Sequence, residues 1–260
     1  MDLLAQYLSD YKLGRGSADE NVILLRATNS TNTAARGYAN GFMERELEPP
    51  NAVVIALSQD AGRGRTGKTW ESHYGKGVYL SILFSLQASA RLEDLPVSTA
   101  VGVCRALRHW DGGRCRIKWP NDLQVAGGKV AGILIESVTQ GERTTAVIGI
   151  GINCSQSADE LPATAVSLRA VSLDRVALGE VAGTVVRLVI DEVAMMARSR
   201  VDTIDAYREW SAHTVGESIS CSTNAGLQAG KFLGFDKRGF IKLGTAQGEI
   251  TVRGGEIVES

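Results

Sequence analysis

The chain of 260 residues lacks any apolar run long enough to cross a bilayer, which takes about 20 residues in succession. It also lacks a secretory leader: Met1-Asp2-Leu3-Leu4 puts an acid where a basic start is needed, and no apolar segment follows. Paired cysteines are missing. Cys104, Cys115, Cys154 and Cys221 are scattered without a C-x-x-C pair, so they read as buried thiols of a reducing cytosol. The three histidines, His73, His109 and His213, are isolated, which leaves a structural zinc site without ligands. An excess of basic charge is absent too: 28 Lys and Arg stand against 29 Asp and Glu. General affinity for nucleic acid or an anionic membrane is thereby excluded, and any cationic function must be local.

What is present is ordinary globular material, 44% hydrophobic, enough to bury a core. Compact apolar runs at residues 21–26, 52–57 and 78–86 read as strands, with a helix starting after Ser30-Thr31-Asn32 between the first two. A short leading helix is expected over residues 2–12 and another helix over 96–110. Strands follow at 116–119, 123–125, 130–138 and 145–152, with a hairpin break at Gly127-Gly128. Residues 179–198 form a long amphipathic helix, and a shorter one covers 201–212. Beyond Gly216 the helical period stops and short strands alternate with glycines, the pattern of a small barrel of about five strands. The expected division is 1–213 and 214–260.

Between residues 59 and 77 the apolar pattern disappears. Gly62-Arg63-Gly64-Arg65-Thr66-Gly67-Lys68-Thr69 matches both the dinucleotide fingerprint and the phosphate-binding loop by letter. Both require a helix directly afterwards, whose N-terminal N–H groups bind the phosphate. Here Trp70 to Gly77 is aromatic and interrupted by Gly75, and no helix is expected. Leu188-Val189-Ile190-Asp191, which imitates a metal-binding strand end, falls within a helix by period. The remaining physics is a flexible backbone carrying Arg63, Arg65 and Lys68, suited to gripping phosphate or carboxylate. The alternative is a solvated basic loop.

Two further clusters follow. Lys118-Trp119-Pro120-Asn121-Asp122 ends a strand in a stiff turn that presents Asn121 and Asp122; on its own it could be an ordinary Asn-Asp turn. Gly127-Gly128-Lys129-Val130-Ala131-Gly132 starts a strand with a lysine, either an edge charge or a cation aimed into a site. Gly149-Ile150-Gly151-Ile152-Asn153 alternates glycines, which leaves one strand face bare as a slot for a flat ligand.

In this order, Ser30-Thr31-Asn32, Gln59, GRGRTG with Trp70, KWPND, GGKVAGILIE and GIGIN resemble the biotin protein ligases. The resemblance runs from about Ser30 to Asn153. It implies an α+β fold, with a mixed-sheet catalytic domain of the biotin/lipoate ligase type and a C-terminal SH3-like β-barrel. The implied reaction joins biotin to ATP as biotinyl-5′-AMP and then transfers it to a lysine of a biotin carboxyl carrier domain. Mg2+ comes with the nucleotide, bound through phosphates and Asp122 rather than a protein cage. By match, Ser30, Thr31, Asn32, Gln59, Gly62, Arg63, Gly64, Arg65, Lys129, Gly132, Gly149 and Gly151 serve biotin. Arg63, Arg65, Lys68, Trp70, Lys118, Asn121, Asp122, Lys129 and Asn153 serve the nucleotide, although the match leaves open whether Lys68 and Arg253 touch it.

Lys129, Arg65 and Asp122 are the implied catalytic residues, Lys129 as the central cation and Arg65 in a lid over the adenylate. The short lead-in leaves no room for a DNA-binding helix-turn-helix. The resemblance therefore implies no DNA and no membrane partner, a cytoplasmic location, and allows a homodimer. Rival readings are a lipoate or octanoate–protein ligase of the same fold, a P-loop NTPase, and a non-catalytic anion-binding module.

Overall fold

The computed structural model describes residues 2–16, 21–86, 91–141, 143–172 and 174–258. Helix α1 (Leu3–Arg15) leads into strand β1 (Asn21–Leu25), helix α2 (Thr31–Met43) and strand β2 (Ala52–Ala56). After the long loop come β3 (Gly77–Ser85), α3 (Leu95–Leu107), β4 (Arg116–Lys118), β5 (Asp122–Val125), β6 (Gly128–Gln140) and β7 (Arg143–Asn153). One helical turn, α4 (Leu168–Val171), precedes α5 (Leu178–Arg198) and α6 (Arg200–Glu209).

Seven strands form one sheet in the order β1-β2-β3-β7-β6-β5-β4. Only β1 and β2 run parallel, joined across α2, so the sheet is mixed. Strand β2 is buried throughout because both faces are covered. Val53 and Ile55 face the main core with α1, α3 and α5, whereas Ala52 and Val54 face α2 through Ala35 and Ala39; this is the two-residue alternation of a strand. On the main-core side α1 and α5 touch backbone to backbone. A Cβ added at Gly179 or Gly183 would stand 2.1 or 2.2 Å from a carbonyl oxygen of α1.

The last strands, β8 (Ser218–Thr223), β9 (Gly226–Phe235), β10 (Ile241–Thr245), β11 (Gly248–Val252) and β12 (Glu256–Val258), form a five-stranded antiparallel sheet ordered β11-β10-β9-β8-β12. This fits the small barrel-like domain expected there. The fold is thus α+β with a mixed sheet, as expected from the sequence.

The one-turn helix α4 is not among the expected elements, and the other differences lie at element ends. Helix α3 stops at Leu107 rather than residue 110, and α6 at Glu209 rather than 212. The β5–β6 turn falls on Ala126 (φ 50°) and Gly127 (φ 82°), one residue earlier than the glycine pair suggests. Two positive φ angles make the turn that matches strand twist, and Gly128 is left free to open β6. All four cysteines are buried and unbridged, and burial pushes the Cys154 thiol up to about 12. No helix among the described residues is long and apolar enough to cross a membrane.

Candidate active site

The long loop turns back on itself. Arg63 bridges Thr69, Trp70 N–H donates to the Gly62 carbonyl at 2.9 Å, and the tip is a single 3-10 turn, Arg65–Gly67. No α-helix follows, so neither phosphate-loop motif has its required context. Leu188 to Asp191 lies inside α5, which removes the second half of the NTPase reading.

Beneath this tongue is a cavity of about 370 Å³, within the size range of small-molecule sites, roughly 300–1,000 Å³. Its walls bring together Ser30, Thr31, Asn32, Gln59, Arg63, Gly64, Arg65, Lys68, Trp70, Lys118, Asn121, Asp122, Lys129, Gly132, Gly149 and Gly151. Of the residues expected from sequence, Gly62 and Asn153 stay off the wall. Gly62 is buried where a Cβ would meet the Trp70 carbonyl oxygen at 2.3 Å, so it shapes the tongue. Asn153 is 5% exposed and donates to the Lys129 carbonyl at 3.3 Å, so its amide faces the protein.

One end of the cavity is a closed polar network. Gln59 Oε1 accepts from Thr31 N–H (2.8 Å) and Thr31 Oγ1 (3.2 Å), while its Nε2 donates to Ser72 Oγ at 2.8 Å. Ser81 Oγ lies 2.8 Å from Thr31 Oγ1 and 2.6 Å from Asn32 Oδ1. Asn32 Nδ2 donates to Glu136 Oε2 at 2.8 Å, and Arg63 pairs with the same oxygen at 3.1 Å. Buried polar groups tied in this way keep their positions. Ser30, at the start of α2, makes no side-chain cap.

At the other end, Lys129 Nζ meets Asp122 Oδ1 at 2.8 Å, with both side chains half-buried. Lys129 also lies 5.4 Å from the centroid of the Trp70 ring, an added attraction for a cation. Its backbone is fixed on both sides: its N–H donates to Thr164, its carbonyl accepts from Val166, and β5 pairs along its strand. Arg65 Nη1 donates to Asn121 Oδ1 at 3.1 Å. Asn121 Nδ2 donates back to the Ile133 carbonyl at 3.0 Å, which ties the KWPND turn to β6.

The bare strand face at the glycines is not an open slot. Gly132 and Gly151 are partners on adjacent strands, and the Trp70 indole lies over them. A Cβ at Gly151 would stand 2.5 Å from the ring, and one at Gly149 would stand 2.3 Å from Asn32 Oδ1. The glycines let this chain's own Trp70 and Asn32 settle onto the sheet, where both line the cavity. Trp70 Nε1, over Gly151, is buried without a partner among the described residues, an unsatisfied donor at the cavity wall.

Sequence reasoning missed Glu256. It reaches the cavity from β12, pairs with Lys68 at 2.8 Å and accepts from Thr66 Oγ1 at 2.7 Å. These bonds hold its carboxyl below the usual range, Lys68 contributing most. Lys68 is thereby turned toward Glu256, and Thr66 is held in a left-handed conformation at φ 52°. Glu136, Ser72 and Ser81 were also given no role.

With this geometry in place, residues 24–153 match the biotin/lipoate A/B protein ligase family. The bifunctional ligase/repressor BirA of Bacillus spizizenii is 30% identical over 247 residues, spanning 88% of this chain and 71% of its own. The biotin–[acetyl-CoA-carboxylase] ligase of Mycobacterium tuberculosis is 26% identical over 96% of this chain and 93% of its own. The biotin protein ligase of Aquifex aeolicus in complex with biotin and ATP shares the fold, with a TM-score of 0.75 at 24% identity over 92% of this chain and 97% of that one. Sequence and fold meet in one place: the chain belongs to the biotin/lipoate A/B protein ligase family, among its biotin protein ligases.

Proposed function

We propose that the cavity makes biotinyl-5′-AMP from biotin and MgATP and then delivers the biotinyl group to a lysine of a biotin carboxyl carrier domain. The biotin carboxylate attacks the α-phosphate, and pyrophosphate leaves with the bonding electrons. The lysine amine then forms the amide while AMP departs. In this reading residues 1–213 carry the chemistry and 214–260 form a separate C-terminal unit that contributes Glu256.

One observation carries the reading: Lys129, fixed at a strand start against Asp122, faces Arg65 and Asn121 across a single cavity. Charge building on the carboxylate and phosphate oxygens needs a cation already in position, because a fixed cation costs no reorganisation during the reaction. Lys129 supplies it. The polar end at Thr31, Asn32 and Gln59 offers donors and acceptors suited to a ureido ring. Arg63, Arg65 and Trp70 cover the adenylate and keep water from it. Magnesium arrives on the triphosphate as part of the substrate.

The test is pyrophosphate–ATP exchange with biotin, lipoate, octanoate or no acid. We expect exchange that requires biotin; exchange with lipoate alone, or ATP hydrolysis without any acid, would overturn the reading.

A further inference from the structure

A second cavity, of about 240 Å³, opens between the seven-stranded sheet and the C-terminal sheet. Val97 of α3, Trp119, Pro120, Ile133, Ile135 and Phe240 give it an apolar wall. It shares Arg65, Asn121, the Trp119-Pro120 turn, Ile133 and Leu134 with the adenylate cavity, and the Arg65–Asn121 hydrogen bond of 3.1 Å lies within this shared wall. On the adenylate reading above, no part of biotin or ATP is assigned to this space.

Its chemistry is specific. The walls are apolar, which suits neither a triphosphate nor free magnesium, whose charges would lose their hydration there. The rim is cationic, with Arg65, Arg238 and Arg253 against the single carboxylate of Glu93. Arg238 already pairs with Glu93 at 3.2 Å. Arg253 is exposed and has neither ion pair nor hydrogen bond among the described residues.

We propose that this second cavity is the channel through which the acceptor protein presents its lysine, and that acidic residues beside that lysine dock on Arg253 and Arg238. The proposal rests on the adenylate reading above. The lysine's methylene stem follows the apolar wall and its nitrogen passes the shared wall at Arg65 and Asn121 to reach the acyl carbon. Desolvation and the Arg65 guanidinium both disfavour the ammonium form, so the amine loses its proton to water on the way in. The neutral amine then forms the C–N bond, the acyl C–O bond to phosphate breaks with its electron pair going to AMP, and the proton that the nitrogen sheds passes to the departing phosphate. An acidic flank draws the acceptor to the rim while the channel itself selects the uncharged nucleophile.

The experiment uses the full chain and its Arg253→Glu and Arg238→Glu variants. Three rates are measured: biotin-dependent pyrophosphate exchange, transfer from preformed adenylate to hydroxylamine, and transfer to a biotin carboxyl carrier domain with acids flanking its lysine. We expect Arg253→Glu to raise the KM for the carrier domain by about tenfold, as reversal of a steering charge does, with the other two rates unchanged. A carrier domain with one flanking acid changed to lysine should recover affinity for Arg253→Glu. An unchanged carrier KM in both variants, or exchange slowed in step with transfer, overturns the channel while leaving the adenylate reading intact. Absence of biotin-dependent exchange in the unaltered chain would instead remove that reading and the channel with it.

Discussion

The tongue at residues 62–70 and the strand that opens at Gly128 face each other across one cavity, yet they are held by different forces. Lys129 sits in a sheet, bonded along both edges of its backbone and backed by the main core through Val130 and Ala131. The tongue is anchored at its end by Trp70, which packs on Gly132 and Gly151 of the sheet. Its arm before Trp70 is tied by side-chain pairs nearer the surface: Arg63 to Glu136, Arg65 to Asn121, and Lys68, which is 70% exposed, to Glu256. Pairs of that kind contribute about 0–1 kcal/mol each, whereas sheet and core give way only with the fold. On the proposed reading, the charge for chemistry then rises from a fixed backbone, and the residues that cover the adenylate sit on a segment with weaker ties, as a lid that opens for release requires.

Substitutions on the two sides should separate accordingly. Lys129→Ala removes the fixed cation and leaves Asp122 without its partner. We expect exchange to fall by a factor of about 10²–10³, the cost of one preorganised charge or donor, about 3–4 kcal/mol, with the thermal midpoint little changed. A thermal midpoint that collapses along with activity would mean that the fixed side is merely structural.

The fixed side has one pH-sensitive tie. Trp119 N–H donates to His213 Nε2 at 3.3 Å, and His213 Nδ1 meets Glu217 Oε1 at 2.8 Å. Burial holds the His213 pKa below its ordinary value near 6.5; Lys118 adds to this and Glu217 opposes it. Burial thus favours the neutral imidazole in the folded state, and protonation would cost Trp119 its acceptor. A group depressed in this way contributes stability that is complete above the unfolded pKa and is lost as pH falls through the folded one. Melting measured from pH 8 down to pH 5 should show the unaltered chain losing stability more steeply than His213→Gln. Parallel curves would remove His213 from the account.

The smallest effect is expected at the tongue's outer pair. Lys68→Ala should shift stability by no more than about 1 kcal/mol, and the shift should shrink further in high salt. A large, salt-independent loss would place Lys68 among the fixed residues.

Much of the sheet could be read from sequence because its strands are apolar runs with clear breaks. The candidate site was readable where chemistry was concentrated in short motifs, as in GRGRTG, KWPND and GGK. What escaped did so for physical reasons. Glu256 meets Lys68 across 188 positions of sequence, and no local pattern reports such a contact. Glu136 did leave a signal: it shares the two-residue period of Gly132 and Leu134 along β6, so it had to face the same side. Ser81 was a polar residue within an apolar strand, which marks a buried partner. Glycines 149 and 151 were rightly read as a bare face, but what fills that face, Asn32 and Trp70, depends on loops that fold over the sheet from elsewhere.

The most direct test of a fixed chemical side and a movable covering side is Arg65→Gly. In one preparation, biotin-dependent pyrophosphate exchange and the rate at which biotinyl-5′-AMP escapes into solution would both be followed. We expect escape to accelerate, visible as biotin on unrelated lysines, while exchange persists. Exchange lost with escape unchanged would contradict the account, because the tongue would then supply chemistry and not retention.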